Sequence, residues 1–255
     1  MAQLVLSEQV DTIAILTLNR PERHNSLVPE LLQELLLALR GVAGRDDVRC
    51  VVLQANGRSF STGGDVRVFY EHGDDLHDYA DHVVGLLNWV ILALLRLPQP
   101  VVAAVHGIVT GGSLGLVLGC DVALVAPGAS FTPYYSVVGF SPDGGWTALL
   151  PAIIGPRRTA EILMRNGTIG AEQAVAWGLA SRMVPAEQIR DEALAVAREI
   201  AAGKPGSVAH VKGLLGLAWG DVAARLEAER ARFVEQIVTE EARQGIASFL
   251  EGKYR

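Results

Sequence analysis

Two glycines near the middle of the chain stand where a backbone could hold an anion. Gly111 and Gly112 follow the apolar run Val101–Val105 and open the uncharged segment Ser113–Cys120, which predicts a short helix buried on every side. The first N–H groups of a helix have no partner within the helix, and the helix dipole favours negative charge there. Because no side chain obstructs these amides, the pattern predicts a place where an anion is stabilised.

A second glycine-rich loop, Asn56–Asp65, lies between a predicted strand and a predicted helix. Its Gly63 and Gly64 would let a ligand approach the backbone closely, although an ordinary strand-to-helix connection has the same composition. The loop lacks the Gly-Lys-Ser/Thr of a phosphate-binding loop and the Gly-x-Gly-x-x-Gly of a dinucleotide site. We expect Asp65, which precedes the next helix, to cap that helix.

Asp143 is the candidate acid or base of the irregular, aromatic-rich segment Phe131–Gly145. A Pro-Asp-Gly turn, in which the Asp side chain bonds its own backbone, is the alternative interpretation. Nearby aromatic rings would exclude water and raise the pKa of this carboxyl, or they would simply pack in the core. These rings belong to Phe131, Tyr134, Tyr135, Phe140 and Trp146. Because no cluster of His, Cys, Asp or Glu has metal-ligand spacing, we predict no metal.

Apolar runs rich in β-branched residues predict the strands that would position these loops. The runs Val48–Leu53, Val101–Val105 and Val122–Val125 suit strands covered on both faces. Two further strands, with a turn at Glu8–Asp11 between them, are predicted near the N-terminus. The elements alternate between strand and helix over the first part of the chain, which predicts an α/β core.

Helical patterns dominate the second part of the chain and end with a predicted helix over Asp221–Leu250. We therefore expect residues 1–200 to form the α/β core and residues 201–255 a helical C-terminal part, in one continuous unit. The chain has 255 residues, of which 50% are hydrophobic, and a mean hydropathy of +0.28. This composition indicates a large core, or a surface partly covered by other subunits.

The charge and the cysteines exclude several partners and locations. A net charge of -6 argues against nucleic acid and anionic membranes. Cys50 and Cys120 lie in apolar runs, as is typical of buried thiols in a reducing compartment. The segment Met1–Val10 lacks the pattern of a signal peptide, and the apolar run Val83–Leu95 is too short to span a bilayer. We therefore expect a soluble cytoplasmic protein without a membrane partner.

Several separated motifs, taken together, resemble one protein family. Phe60–Asp65 is followed in register by Ala104–Leu116, and Asn19–Pro21 lies near the first long strand. Ala171–Ala174 and Trp177–Leu179 fit the same pattern later in the chain. Over nearly its whole length the sequence resembles the crotonase (enoyl-CoA hydratase/isomerase) family.

The resemblance implies a fold, an assembly and a class of substrate. The family fold is a spiral of ββα turns with a helical C-terminal trimerisation part, assembled as a trimer or as a hexamer of two trimers. Its members bind acyl-CoA thioesters, so that CoA enters as part of the substrate and no separate cofactor is implied. Two backbone N–H groups hold the thioester oxygen as it becomes an enolate, and by position these belong to Thr62 and Gly112.

The resemblance also narrows the reaction. The two glutamates of the hydratases should appear at Gly115 and Tyr135, and neither residue is a carboxylate. Asp143 falls where several isomerases of the family carry their only catalytic carboxylate, including the Δ3,Δ2-enoyl-CoA isomerases and the ring-opening epoxyphenylacetyl-CoA isomerases. The sequence is therefore interpreted as an acyl-CoA isomerase. A thioester hydrolase of the 3-hydroxyisobutyryl-CoA type and a CoA-binding paralogue without catalysis remain as alternatives.

Contacts with the CoA thioester are implied around the two loops and at the C-terminus. Arg23 lies where the family's loop meets the nucleotide end of CoA, with a solvated arginine as the alternative, and His24 beside it could instead be structural. Lys253 lies in a tail resembling the helix that reaches the CoA phosphates of a neighbouring subunit, with a frayed terminus as the alternative. The complete set of expected contacts is Arg23, His24, Thr62, Gly63, Gly64, Asp65, Gly112, Tyr135 and Lys253.

Overall fold

Two β-sheets form the framework of the protein, whose computed structural model describes residues 3–216 and 220–252. The strands of this part are β1 (Val5–Val10), β2 (Ile13–Leu18), β3 (Cys50–Ala55), β4 (Val101–Val105), β5 (Ile108–Thr110), β6 (Val122–Val125), β7 (Ser130–Thr132), β8 (Ile169–Gly170) and β9 (Arg182–Met183). The larger sheet has the order β1-β2-β3-β4-β6-β9, and the smaller one has the order β5-β7-β8. In the larger sheet only the β1–β2 pair is antiparallel.

Helices cover both faces of the larger sheet and make up most of the chain after β7. In the described residues they are α1 (Pro29–Ala43), α2 (Val66–Glu71), α3 (Leu76–Arg96), α4 (Leu114–Leu118), α5 (Tyr135–Val138), α6 (Leu150–Ile154), α7 (Pro156–Arg165), α8 (Ala171–Ala176), α9 (Ile189–Ala201), α10 (Pro205–Gly216), α11 (Val222–Ile237) and α12 (Glu240–Leu250). This architecture confirms the predicted α/β class with a helical C-terminal part. The boundary at residue 200 stays a prediction.

Strand β4 shows why the sheet needs helices on both faces. All five of its residues are buried, as the run of apolar side chains predicts. Val101, Ala103 and Val105 face a core that α1 and α3 complete. Val102 and Ala104 face a second core that α9 completes. The strand is therefore fixed in register, because a shift of one residue would exchange its two buried faces.

The N-terminal hairpin is longer than predicted. Its β1 continues to Val10, which pairs with Ile13 of β2. The turn therefore consists of Asp11 and Thr12, and Asp11 adopts a positive φ of 54°. The predicted turn at Glu8–Asp11 is wrong except for its last residue.

The predicted helix over Asp221–Leu250 is two helices. The first, α11, ends at Ile237, and α12 begins at Glu240. Between them Thr239 has an extended backbone, and its hydroxyl accepts a hydrogen bond from the Ala242 N–H at 3.2 Å. The threonine is thus an N-cap that starts a new helix in the middle of a continuous helical pattern.

The helical segment Gly73–Arg96 is long and apolar enough to cross a membrane, by length and composition alone. It is longer than the apolar run Val83–Leu95, which it contains. However, 44% of its most apolar window is buried within the fold. The helix α3 in this segment packs against α1 and α11. A core helix of a soluble protein meets the same criterion, so the segment is weak evidence for a membrane.

Candidate active site

The two glycine-rich loops lie side by side at the carboxyl ends of β3 and β4. Backbone hydrogen bonds join them, because the Ser61 N–H donates to the Ile108 carbonyl and the Thr110 N–H donates to the Ser61 carbonyl, both at 3.1 Å. Gly63 has a φ of +72°, and a Cβ there would lie 2.6 Å from the Thr110 oxygen. This close approach needs glycine, and it places both loops against one crevice at the edge of a parallel sheet.

Gly112 has the position predicted for an anion-stabilising amide. A 3-10 turn, Gly111–Ser113, precedes α4, and a capping box between Thr110 and Ser113 fixes its start. The Trp146 indole N–H donates to the Gly111 carbonyl at 2.8 Å and holds the turn from the other side. The N–H of Gly112 lies in the first turn, where an amide has no partner within the helix.

The structure does not support Thr62 as the second amide donor. The Thr62 N–H donates to the His24 carbonyl at 3.2 Å, so it is already used within the protein. Leu27 donates to the Gly63 carbonyl, and Asp65 donates to the Leu27 carbonyl. Since successive groups of an extended backbone point in opposite directions, the Gly64 N–H points away from Leu27. Gly64 also lines the crevice, so its amide replaces that of Thr62 as the candidate.

Asp143 lies inside the same crevice, with 6% of its surface exposed. The Tyr135 hydroxyl donates to Asp143 Oδ1 at 2.5 Å and to the Asp143 carbonyl at 3.1 Å. A Cβ at Gly112 would lie 2.8 Å from Asp143 Oδ2 and 3.0 Å from Oδ1. The carboxylate is therefore adjacent to the candidate amide at Gly112, and only glycine leaves it this space.

Burial makes the Asp143 carboxyl a weaker acid than usual. Loss of hydration raises its pKa from 3.8 to about 7, the hydrogen bond from Tyr135 opposes this rise, and the charge of Glu229 adds to it. The direction agrees with the expectation from the aromatic-rich segment. A carboxylate with a pKa near 7 can both accept and return a proton near neutral pH.

The aromatic residues in and beside that segment divide into two groups. Phe131 and Trp146 are fully buried core residues. Tyr134, Tyr135 and Phe140 line a crevice of about 410 Å³ that contains Asp143. Core packing is thus the role of the first pair, and only the other three rings adjoin the space a ligand could occupy.

Asp65 does not cap α2. Its carboxylate, 6% exposed, pairs with Arg20 at 3.0 Å and with Arg23 at 3.2 Å, and it accepts a hydrogen bond from the Ser26 hydroxyl at 3.1 Å. Although burial raises the pKa of Asp65, these donors together lower it by more, so that the net pKa lies below the ordinary value. The predicted cap is wrong, because the Asp65 side chain instead ties its own loop to the loop of Arg20 and Arg23 at the mouth of the crevice.

Arg23 and His24, which are among the expected CoA contacts, lie around that mouth. Arg23 lines the crevice with 38% of its side chain exposed while it pairs with Asp65. His24 also lines the crevice, and its Nδ1 and Nε2 lie 3.1 Å from Ser59 Oγ and 2.9 Å from Arg58 Nη2. Lys253 lies outside the described residues.

The position of the first hydratase glutamate has no room for one. Gly115 is buried in α4, and a Cβ there would lie 2.4 Å from Ile91 Cδ1 and 2.6 Å from the Gly144 oxygen. The second position holds Tyr135, whose hydroxyl is bonded to Asp143. In residues 3–216 and 220–252, no group of three or more His, Cys, Asp or Glu side chains could hold a metal ion.

Several residues of the site come from distant elements and are not predicted from the sequence. Phe69 of α2 and Phe233 of α11 line the crevice, as do Phe249 and Leu250 near the end of α12. Glu229 of α11 binds the loop that follows Asp143. No local motif marks these positions; only the apolar periodicity of α11, which places its inward face, bears on Phe233 and Glu229.

These features define a crotonase-type site, and the chain belongs to the enoyl-CoA hydratase/isomerase family, whose model matches residues 8–254. The fold confirms this, since the structure of an enoyl-CoA hydratase from Bacillus halodurans superimposes with a TM-score of 0.90 at 26% identity, covering 96% of this chain and 100% of that one. Members of this family act on acyl-CoA thioesters.

Two relatives show the range of reactions among similar proteins. The chain is 31% identical over 254 residues to the 1,2-epoxyphenylacetyl-CoA isomerase of Escherichia coli, covering 98% of this chain and 96% of the relative. It is 40% identical over 204 residues to a probable enoyl-CoA hydratase of Mycobacterium tuberculosis, covering 76% of this chain and 70% of the relative. The chain therefore belongs to a family whose named members differ in reaction.

Proposed function

We propose that the protein is an acyl-CoA isomerase that moves a double bond through a thioester enolate. The observation that carries the proposal is the position of Asp143, a buried carboxyl with a pKa near 7 beside the amide of Gly112. A double-bond shift needs one proton removed and one returned on the same face of the substrate. One carboxylate can perform both steps if the anion between them is stabilised.

The thioester oxygen would be held by the amides of Gly64 and Gly112. In a 3-enoyl thioester, Asp143 Oδ2 accepts a proton from the carbon next to the carbonyl, and the electron pair moves onto the thioester oxygen. The same Oδ2 then returns the proton to the γ carbon, where the electrons of the β–γ double bond form the new C–H bond. The electron pair on the oxygen restores the carbonyl, and the double bond now lies between the α and β carbons. Tyr135 occupies Oδ1, which leaves Oδ2 as the reacting oxygen.

Hydration is disfavoured by the same geometry. Addition of water across the double bond in this family uses two glutamates, and a side chain at Gly115 would overlap its neighbours. At the other position Tyr135 presents a hydroxyl instead of a carboxylate. Asp143 alone would have to position the water and also supply a proton.

Cellular context and assembly stay proposals. The exposed side chains of Trp89, Leu214 and Leu215 are large and apolar, which favours burial against further copies of the chain. We expect a trimer or a hexamer in the cytoplasm, with the acyl-CoA thioester as substrate and without a separate cofactor. Sedimentation velocity would report the number of subunits.

The test of the reaction is a panel of CoA thioesters assayed in parallel for double-bond migration, hydration and release of free CoA. We expect migration, and we expect Asp143→Asn to slow it by about 10²- to 10⁴-fold. Unchanged turnover in Asp143→Asn would refute the assigned role. Release of free CoA would indicate a hydrolase instead, and thioester binding without turnover would indicate a CoA-binding paralogue.

The choice between Gly64 and Thr62 has its own test. Incorporation of glycolic acid at position 64 replaces the peptide N–H by an ester oxygen and removes one donor. We expect kcat to fall by about 10²- to 10³-fold. The matched ester at position 62 removes only the hydrogen bond to His24 and should leave kcat within a few-fold of wild type. A large loss at position 62 alone would restore Thr62 as the donor.

A further inference from the structure

A buried carboxylate outside the crevice binds the loop that follows Asp143. Glu229, 5% exposed, lies on α11 and accepts four hydrogen bonds from this loop. Its Oε2 accepts from the Gly145 N–H at 2.8 Å. Its Oε1 accepts from the Thr147 N–H and hydroxyl at 2.7 Å and from the Ala148 N–H at 2.8 Å.

Both carboxylate oxygens of Glu229 accept hydrogen bonds from backbone N–H groups, which can only donate, and this geometry suits a carboxylate without a proton. Burial raises its pKa by more than the donors to both carboxylate oxygens lower it, so the net pKa lies above the ordinary value. A carboxylate that accepts hydrogen bonds from three backbone N–H groups and one hydroxyl has its lone pairs satisfied without water. The Arg225 guanidinium donates to the Thr147 carbonyl at 2.8 Å, so α11 holds the loop at a second point.

The loop held by Glu229 also touches the candidate oxyanion site. Gly144 has a φ of +62°, and a Cβ there would lie 2.3 Å from the Gly112 oxygen and 2.4 Å from the Gly112 Cα. The next residue, Gly145, donates to Glu229. Restraint of this loop therefore restrains the Asp143 carboxylate on one side and the backbone of Gly112 on the other.

We propose that Glu229 is a positioning residue, whose carboxylate fixes the Asp143 loop against the backbone of Gly112 and so holds the Asp143 side chain in place. The catalytic part of this inference rests on the proposed isomerase function. The positioning of the loop, and the electrostatic effect of Glu229 on Asp143 that accompanies it, concern the resting protein, and both can be measured without any substrate.

The side chains that act on the Asp143 carboxyl come from two elements. Tyr135 of α5 donates a hydrogen bond, which lowers its pKa, and Glu229 of α11 repels its negative charge, which raises it. The segment Gly111–Leu118 packs against it without any titratable side chain. Removal of the Glu229 charge should therefore shift the titration of Asp143 to lower pH.

The experiment compares Glu229→Gln with Glu235→Gln, which removes the same charge from an exposed position of the same helix. The Asp143 carboxyl carbon is titrated by carbon-13 NMR in the protein without ligand, with Asp143→Asn to assign the signal. We expect its pKa to fall by on the order of 1 unit in Glu229→Gln and to stay unchanged in Glu235→Gln. No shift in a folded Glu229→Gln, or equal shifts in both variants, would overturn the electrostatic part.

Amide hydrogen exchange tests the positioning part on the same samples. The N–H groups of Gly145, Thr147 and Ala148 should exchange at least about tenfold faster in Glu229→Gln and at the wild-type rate in Glu235→Gln. Unchanged protection would overturn this part.

If Glu229→Gln does not fold, Glu229→Asp tests the inference, because it keeps the charge and shortens the reach. We then expect the pKa of Asp143 to remain near the wild-type value and the same three amides to lose protection. With an active substrate, kcat of Glu229→Asp should fall about tenfold to a hundredfold. Retained protection in Glu229→Asp would overturn the inference, whereas an inactive wild type with the expected NMR shifts would refute only the isomerase function.

Discussion

Replacement of Asp143 by asparagine should stabilise the protein increasingly as the pH rises. In the folded state burial raises the pKa of this carboxyl from 3.8 to about 7. In the unfolded chain the carboxyl returns to its ordinary pKa. Between these two values the folded protein keeps a proton that the unfolded chain has released, so the free energy of unfolding falls as the pH rises.

The size of the effect follows from the two pKa values. They differ by about 3 pH units, and each unit corresponds to about 1.4 kcal/mol, which gives about 4 kcal/mol. This penalty is absent below about pH 4 and complete above about pH 7. The asparagine side chain of the variant cannot ionise, and it can still accept the hydrogen bond from Tyr135. The difference in unfolding free energy between variant and wild type should therefore grow by about 4 kcal/mol across this range.

Urea unfolding at half-unit steps from pH 4 to pH 8 measures this difference. Asp74→Asn, at an exposed position, removes a carboxylate without the burial and serves as the control. A constant difference between Asp143→Asn and wild type at every pH would refute the argument that burial controls this carboxyl. The same growth in Asp74→Asn would show that net charge, not burial, is responsible.

Three further substitutions test the geometry around the carboxylate. Gly112→Ala places a Cβ 2.8 Å from Asp143 Oδ2 and should lower kcat/KM by about a hundredfold or more in the isomerase assay, whereas Gly128→Ala, with nothing within 4 Å, should not. Tyr135→Phe removes a hydrogen bond that lowers the pKa of Asp143, so the acid limb of the pH profile of kcat should move to higher pH. We also expect kcat to fall roughly tenfold. A shift of the acid limb to lower pH would contradict this reasoning. Gly115→Glu should destabilise the protein by about 3 kcal/mol in urea unfolding and gain no hydratase activity. Its Cβ would overlap Ile91 Cδ1 at 2.4 Å and the Gly144 oxygen at 2.6 Å. A stable variant that hydrates enoyl-CoA would contradict this prediction.

The buried strands could be predicted from the sequence because their signal is local, whereas the choice of Asp143 depends on the family resemblance. The runs Val101–Val105 and Val122–Val125 form β4 and β6 with the predicted bounds. The Pro-Asp-Gly surroundings of Asp143 also suit a simple turn, so only the resemblance selects this carboxyl, and the structure places it beside Gly112. A continuous apolar run is a property of a short stretch of sequence, and it predicts a buried strand without knowledge of the rest of the fold.

Other features of the site depend on the directions of backbone groups and on contacts between distant loops, which a short stretch of sequence does not specify. The choice between Thr62 and Gly64 depends on which way each amide of an extended loop points, and this is set by pairing with Leu27. Asp65 has the sequence position of a cap, yet two arginines from another loop bind its carboxylate. The local sequence therefore predicts where the loop lies, but it does not predict what its amides and its carboxylate bind.

The role of Glu229 is the feature of the site that the sequence predicts least. It lies 84 residues from Gly145, whose N–H donates to it, and its helix has the pattern of an ordinary amphipathic segment. A glutamate at a buried position of such a helix is the one available signal, because ionised side chains are rarely buried without partners. Its partners could be found only once α11 was placed against the loop.

Transfer of deuterium within the substrate tests the central claim most directly, namely that one buried carboxylate carries the proton between two carbons. A 3-enoyl-CoA labelled with deuterium at the α carbon is converted in ordinary water for a single turnover, and the product is analysed by mass spectrometry and NMR. Since Asp143 is 6% exposed, we predict that part of the label reappears at the γ carbon. A product with only solvent hydrogen at the γ carbon from the first turnover would contradict transfer by a single shielded acid.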